Sequence, residues 1–137
     1  MSQPKTPQCR KLRPSNTYSG KQGFDYFEGI ALETTQSQAI CMHLLTIPPG
    51  AKAKAHKHAT HETAIYMLEG RVEMYWGQTL ENHMTAEAGD MIYIPADTPH
   101  LPMNLTDAPA SAVISRTDPH EQESVVLTPE LEAAVPN

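Results

Sequence analysis

Apolar residues along this 137-residue chain come in short runs rather than in long helical stripes. GFDYFEGIALE, QAICMHLLTIP, ETAIYMLEG, RVEMYWG, MIYIPA and ASAVISR are each closed off by Gly, Pro or Asn/Asp clusters. Strands bounded by turn residues in this way predict an all-β sandwich or barrel, not alternating βα units. ETAIYMLEG and RVEMYWG meet at Gly70 and predict a hairpin there. The one helical signal is PELEAA, where Pro129 suits a first helical turn behind Thr128 as cap. No internal repeat or low-complexity tract interrupts the pattern.

A chain of this length fits one domain with a single core. The strand-bearing part is placed at 21–127, behind a flexible basic arm, 1–20, and ahead of a tail, 128–137, that carries the short helix. Cys9 and Cys41 belong to no CxxC pair, and Cys41, inside AICMHLLTI, reads as a small buried apolar residue. No stretch approaches the length of a membrane span, and MSQPKTPQCR lacks an apolar secretory core, so a cytoplasmic protein without a membrane partner is expected.

The formal charge is −6, unevenly spread. Lys5, Arg10, Lys11, Arg13 and Lys21 precede every acidic residue, whereas Arg116 is the only cation after Arg71. The basic arm has no interleaved aromatics and no amphipathic period, and the rest of the chain is acidic. Nucleic acid is therefore not the expected partner.

Chemistry concentrates in AHKHATHETAIYMLEG. On an extended backbone His56 and His58 leave the same face, a geometry suited to gripping one ion. His61 and Glu62 follow within reach, and His100, in GDMIYIPADTPH, offers a further nitrogen. Imidazole and carboxylate suit one divalent transition metal per chain (Fe, Mn, Ni, Zn or Cu) better than calcium or magnesium.

These residues resemble the two motifs of the cupins. Gly50, His56-Lys57-His58, Glu62 and Gly70 are similar to the first; Gly89, Pro95, His100 and Asn104 are similar to the second. Only Arg71–Ala88 separates them, as in small single-domain cupins, and the resemblance covers roughly residues 40–116. It implies a cupin-type antiparallel jelly-roll barrel with peripheral N- and C-terminal segments, in which His56, His58 and His100 take three histidine ligand positions. It also implies pairing of barrels into a homodimer, to which GFDYFEGIALE could add a covering strand. Two positions depart from the pattern. Thr63 stands where a glutamate is usual, and Asp97 where glycine is usual, although Asp tolerates turn conformations. Strand alternation gives His61 the parity for the remaining ligand, while a bulge would bring in Glu62, so both stay open.

A substrate pocket is expected to include His43, Met67 and Arg116. His43 reads either as an acid or base behind the ligands or as a structural histidine, and Arg116 either as a carboxylate anchor or as half of a rim salt bridge. Met42, Met67, Met91 and Met103 are expected to line the interior. Tyr66, Trp76 and Tyr93 suit packing, Asn104 suits the turn after His100, and His83 and His120 receive no role. Two classes of function follow: a metal-dependent, dioxygenase-like enzyme acting on a small polar molecule, and a metal-binding or ligand-sensing module without turnover, with an isomerase or lyase as the oxygen-independent variant of the first.

Overall fold

In the computed structural model, residues 7–14, 17–19, 23–120 and 125–136 are described. The strands are β1 (Thr17–Ser19), β2 (Asp25–Ile30), β3 (Cys41–Ile47), β4 (His56–His58), β5 (Thr63–Glu69), β6 (Arg71–Trp76), β7 (Asn82–Glu87), β8 (Met91–Ile94), β9 (His100–Met103), β10 (Ala110–Arg116) and β11 (Val125–Leu127). One helical turn, α1 (Leu32–Thr35), links β2 to the loop before β3, and a 3₁₀ helix spans Pro129–Ala134.

The strands form two antiparallel sheets, a six-stranded one in the order β1-β2-β3-β10-β5-β8 and a five-stranded one in the order β11-β4-β9-β6-β7. This is the two-sheet antiparallel jelly-roll arrangement that the resemblance implied. Period-two alternation decides what each strand turns inward: in β3 and β10 every second residue is buried. Tyr26, Leu45, Ile47, Met67, Ile92, Ile94, Ala112 and Ile114 from the larger sheet meet Val72, Met74 and Ala86 from the smaller one. A second cluster of Ala55, Leu80, Leu101, Met103 and Val135 includes alternate residues of β9, with Tyr75 and Leu131 packed against it. The 3₁₀ helix that carries Leu131 thus packs on the smaller sheet.

This arrangement differs from the sequence reading at several points. Gly70 does not turn a hairpin: β5 pairs with β8 and β10, β6 with β7 and β9, so Gly70 carries the chain from one sheet to the other. The glycine is demanded by φ of +80° and by crowding, because a Cβ there would lie 2.6 Å from the Pro109 carbonyl oxygen. The run GFDYFEGIALE supplies β2, an inner strand of its own sheet flanked by β1 and β3, and then enters α1 at Leu32. The backbone of Thr17–Ser19, the last part of the expected arm, pairs with Asp25–Phe27; Lys5 and Lys21 lie outside the described residues. The methionines also divide. Met67 lines the interior and Met103 is buried in the second cluster, whereas Met42 and Met91 are 43% and 82% exposed.

Candidate metal centre

Strand alternation in β4 turns His56 and His58 into the barrel while Lys57 faces out and pairs with Asp97 at 2.8 Å. Asp97 adopts the left-handed conformation, φ 59°, and its N–H donates to the His58 carbonyl at 2.7 Å, so the turn before His100 is tied to β4. In β9, His100 and Pro102 face inward, and His100 stands directly opposite His56. The nitrogen atoms that His56, His58 and His100 offer lie within 4.8 Å of one another, and all three side chains are buried.

Hydrogen bonds fix two of the rings. His56 Nδ1 donates to the Lys54 carbonyl at 2.7 Å and His100 Nδ1 to the Thr98 carbonyl at 2.9 Å. A carbonyl only accepts, so both protons sit on Nδ1 and both Nε2 lone pairs are available to an ion. His58 Nδ1 is buried with no hydrogen-bond partner. Burial, followed by the positive charge of Arg116 or of a neighbouring imidazole, lowers the basicity of the set. His100 is pushed down to about 4, and His56 and His58 lie well below the usual imidazole range. Neutral, clustered, buried imidazoles are the protonation state that a transition metal requires, and the donor set therefore fits one.

The remaining expected residues separate. His61 is buried with its ring centroid 4.5 Å from that of His58, and its Nδ1 bonds Asp118 Oδ2 at 3.1 Å; it lies beside the three-histidine group and is not one of the three. Burial and Arg116 lower its pKa, against the opposing pull of Asp118. Glu62 faces outward and accepts a 2.6 Å hydrogen bond from Tyr93 Oη on the surface, so it does not join the cluster. The physical reason is the regular pairing of Thr63 with Ile94, which leaves no bulge to reverse the alternation at the start of β5.

Thr63, in the usual glutamate position, points inward with Arg116 as its direct cross-strand partner. Arg116 is not at the rim: it is 4% exposed and Nη1 donates to His43 Nε2 at 3.1 Å. Burial and this guanidinium hold His43 neutral, at about 3. Together with the three histidines, Met67, Met74, Ile65, Ile92 and Ile94, Thr63 and Arg116 line a cavity of about 50 Å³, whereas His43, expected in the pocket, stands behind Arg116 and is not among the lining residues. Asp118 was not singled out from the sequence, because its partner His61 is 57 residues away. The Arg116–His43 contact spans 73 residues and had no local signal either. Asn104 is buried and ties the loop to Ala108 at 2.8 Å and to Ile47 at 3.1 Å. His83 bonds Glu73 and His120 bonds Glu33, both away from the cavity.

Comparison with known proteins agrees with this architecture. The oxalate decarboxylase of Lactobacillus farciminis, in its formate complex, superposes with a TM-score of 0.69 at 19% identity, over 88% of this chain and 36% of that one. A Bacillus subtilis oxalate decarboxylase gives 0.66 at 23%, over 91% and 32%. A Klebsiella pneumoniae protein with a double-stranded β-helix domain gives 0.62 at 18%, over 85% and 90%. At these identities the likeness is one of fold, and the chain spans about a third of each decarboxylase. In sequence, an uncharacterized protein of Methanocaldococcus jannaschii is 38% identical over 82 residues, 59% of this chain and 62% of that protein. The described residues contain no helix long and apolar enough to cross a membrane. Residues 43–115 match the cupin domain model, more than half of the chain, and the protein belongs to the cupin family.

Proposed function

We propose that this cupin is a metal-dependent enzyme, an oxygenase acting on a small polar organic molecule. The observation that carries the reading is the group of three buried imidazoles on one wall of a largely apolar cavity. His56, His58 and His100 would hold a divalent transition metal, with iron, manganese, nickel, zinc and copper as candidates; the B. subtilis oxalate decarboxylase has Mn(II) centres. Bound there, such an ion would supply Lewis acidity and open positions for substrate and dioxygen.

The chain's own residues do the rest. Met67, Met74, Ile65 and Ile94 exclude water from the cavity. His61, fixed through Nδ1 by Asp118, is placed to hold or move a proton at the edge of the cluster. In this reading His61 takes that role in place of a fourth ligand, and Glu62 serves the surface. The barrels pair as a homodimer through the outer face of the larger sheet, where Met42, Tyr66, Leu68, Met91 and Tyr93 are exposed together.

The test is elemental analysis of untagged protein, followed by oxygen uptake with iron-, manganese- and nickel-loaded samples. Diketones, enols, catechols and hydroxy acids are the substrates to screen. Oxygen-dependent turnover lost in His100→Ala supports the reading. Turnover without oxygen would make it an isomerase or lyase, and tight metabolite binding with every metal form inert would make it a binding module.

A further inference from the structure

One hydroxyl in the cavity has no partner within the chain. Thr63 opens β5 and turns inward, into the space that His56, His58 and His100 also line. Its phase is fixed from both sides, by pairing with Ile94 in β8 and with Arg116 in β10. The residue is 3% exposed, and Oγ1 makes no hydrogen bond. A hydroxyl taken out of water without a replacement bond is destabilising, and the great majority of buried polar groups in native proteins are satisfied.

The surroundings do not relieve this cost. Arg116 directs Nη1 to His43, while Asp118 receives His61 Nδ1 on one oxygen and the His120 N–H on the other. Ile94, beside Thr63 in the sheet, and Ile65, two residues on, are branched apolar side chains that line the same cavity. A valine at position 63 would have the shape of the threonine and no orphaned group. Thr128 also has a buried hydroxyl without a partner, but it precedes the 3₁₀ helix and is not among the lining residues. Thr63 is therefore the threonine whose unmet hydrogen bond coincides with the three imidazoles.

A threonine hydroxyl carries no charge and can both donate and accept. His56 and His100, with their protons on Nδ1, present lone pairs and can donate nothing from Nε2. A small molecule that enters beside them with an oxygen or nitrogen donor atom keeps lone pairs of its own, and Thr63 can supply a proton donor to them. We infer that Thr63 is a ligand-binding residue of the metal centre, its hydroxyl donating a hydrogen bond to the exogenous oxygen- or nitrogen-donor molecule that fills an open position beside the three histidines. This deepens the enzymatic reading above and rests on it for the ion.

The test is titration of the cobalt(II)-loaded protein with azide, followed through the visible ligand-field bands, with cobalt content measured separately by elemental analysis. The wild type should hold one cobalt per chain and respond to azide. Thr63→Val should keep the cobalt and bind azide at least about tenfold more weakly, because the shape is retained and the donor is lost. Thr63→Ser, which restores the donor on a smaller side chain, should bind azide within about threefold of the wild type. A crystal structure of the cobalt and azide form should bring Thr63 Oγ1 within about 3.2 Å of an azide nitrogen. Equal azide affinity in the wild type and Thr63→Val, or a cobalt-loaded wild type that gives no azide response, overturns the inference and leaves the metal reading standing. Loss of azide affinity in Thr63→Ser as large as in Thr63→Val also overturns it, since packing rather than the hydroxyl would then be responsible. A wild type that takes up no cobalt sinks the metal reading itself, and the inference with it.

Discussion

His56 and His100 are direct cross-strand partners in β4 and β9, with ring centroids 4.3 Å apart. The two motifs of the sequence therefore meet at a single rung of one sheet. Each ring is also anchored by its own backbone carbonyl two residues earlier, Lys54 and Thr98. Replacing either histidine by alanine should take metal content from one equivalent to none while circular dichroism remains that of a folded barrel, since the ligands contribute chemistry more than core. Stoichiometric metal in both variants would place the centre elsewhere.

The two residues left open by the sequence are separable by substitution. Glu62→Gln should leave metal affinity within a factor of about two, since its carboxylate sits on the surface with Tyr93. His61→Ala should weaken it more, because the ring packs on His58. Competition with a chromogenic chelator measures both, and the opposite order would return the carboxylate to the ligand set.

Acid should destabilise the metal-free protein in a defined window. His43 and His100 titrate at about 3 and about 4 when folded, against about 6.5 when unfolded. Between those values the unfolded chain binds more protons, so stability rises with pH and is lost as pH falls from about 6.5 toward 4. Each of the two imidazoles adds up to about 1.4 kcal/mol per pH unit to that slope. Urea midpoints measured across the window should follow it, and a flat profile would mean that the rings are not buried as neutral species.

Gly70→Ala should destabilise the barrel by about 1–3 kcal/mol. The left-handed φ and the approach of a Cβ to the Ala110 Cα, 2.7 Å, both oppose any side chain at this point. Guanidinium unfolding of the variant checks the figure.

Much of this was written locally. The spacing of His56 and His58, the inward parity of Thr63 and the Gly/Pro-bounded strands all follow from alternation over a few residues, and the structure keeps them. Gly70 shows where local reading stops. A tight turn and a passage between sheets ask for the same left-handed glycine, so residue type alone cannot separate them. The contacts of His61 with Asp118 and of Arg116 with His43 depend on which strands become neighbours, and no short window of sequence contains that information. Glu62 and Thr63 differ only by the phase of one strand, which pairing with β8 decides.

Pairing of barrels is open to direct measurement. Met91→Lys and Tyr66→Glu place charge on the outer face of the larger sheet, in side chains that touch neither the cavity nor the core. Light scattering should report a dimer for the wild type and a monomer for the double variant. A wild-type monomer at micromolar concentration rejects the pairing.

Strand β4, which carries His56 and His58, is only three residues long, and its neighbours are β9 on one side and β11 on the other, where Val125 faces His58 and Leu127 faces His56. Such a short strand cannot persist alone, so the histidines acquire their positions only after segments far along the chain have come back to them. Under the proposed metal reading, uptake would be a late event in the life of each molecule: partly folded chains would offer scattered imidazoles of ordinary affinity, and tight binding would report that the barrel has closed. Truncation before Val125 should consequently yield a protein that retains much of its β-sheet content yet holds metal weakly, as a cell would see in a nascent chain that still lacks its last strand.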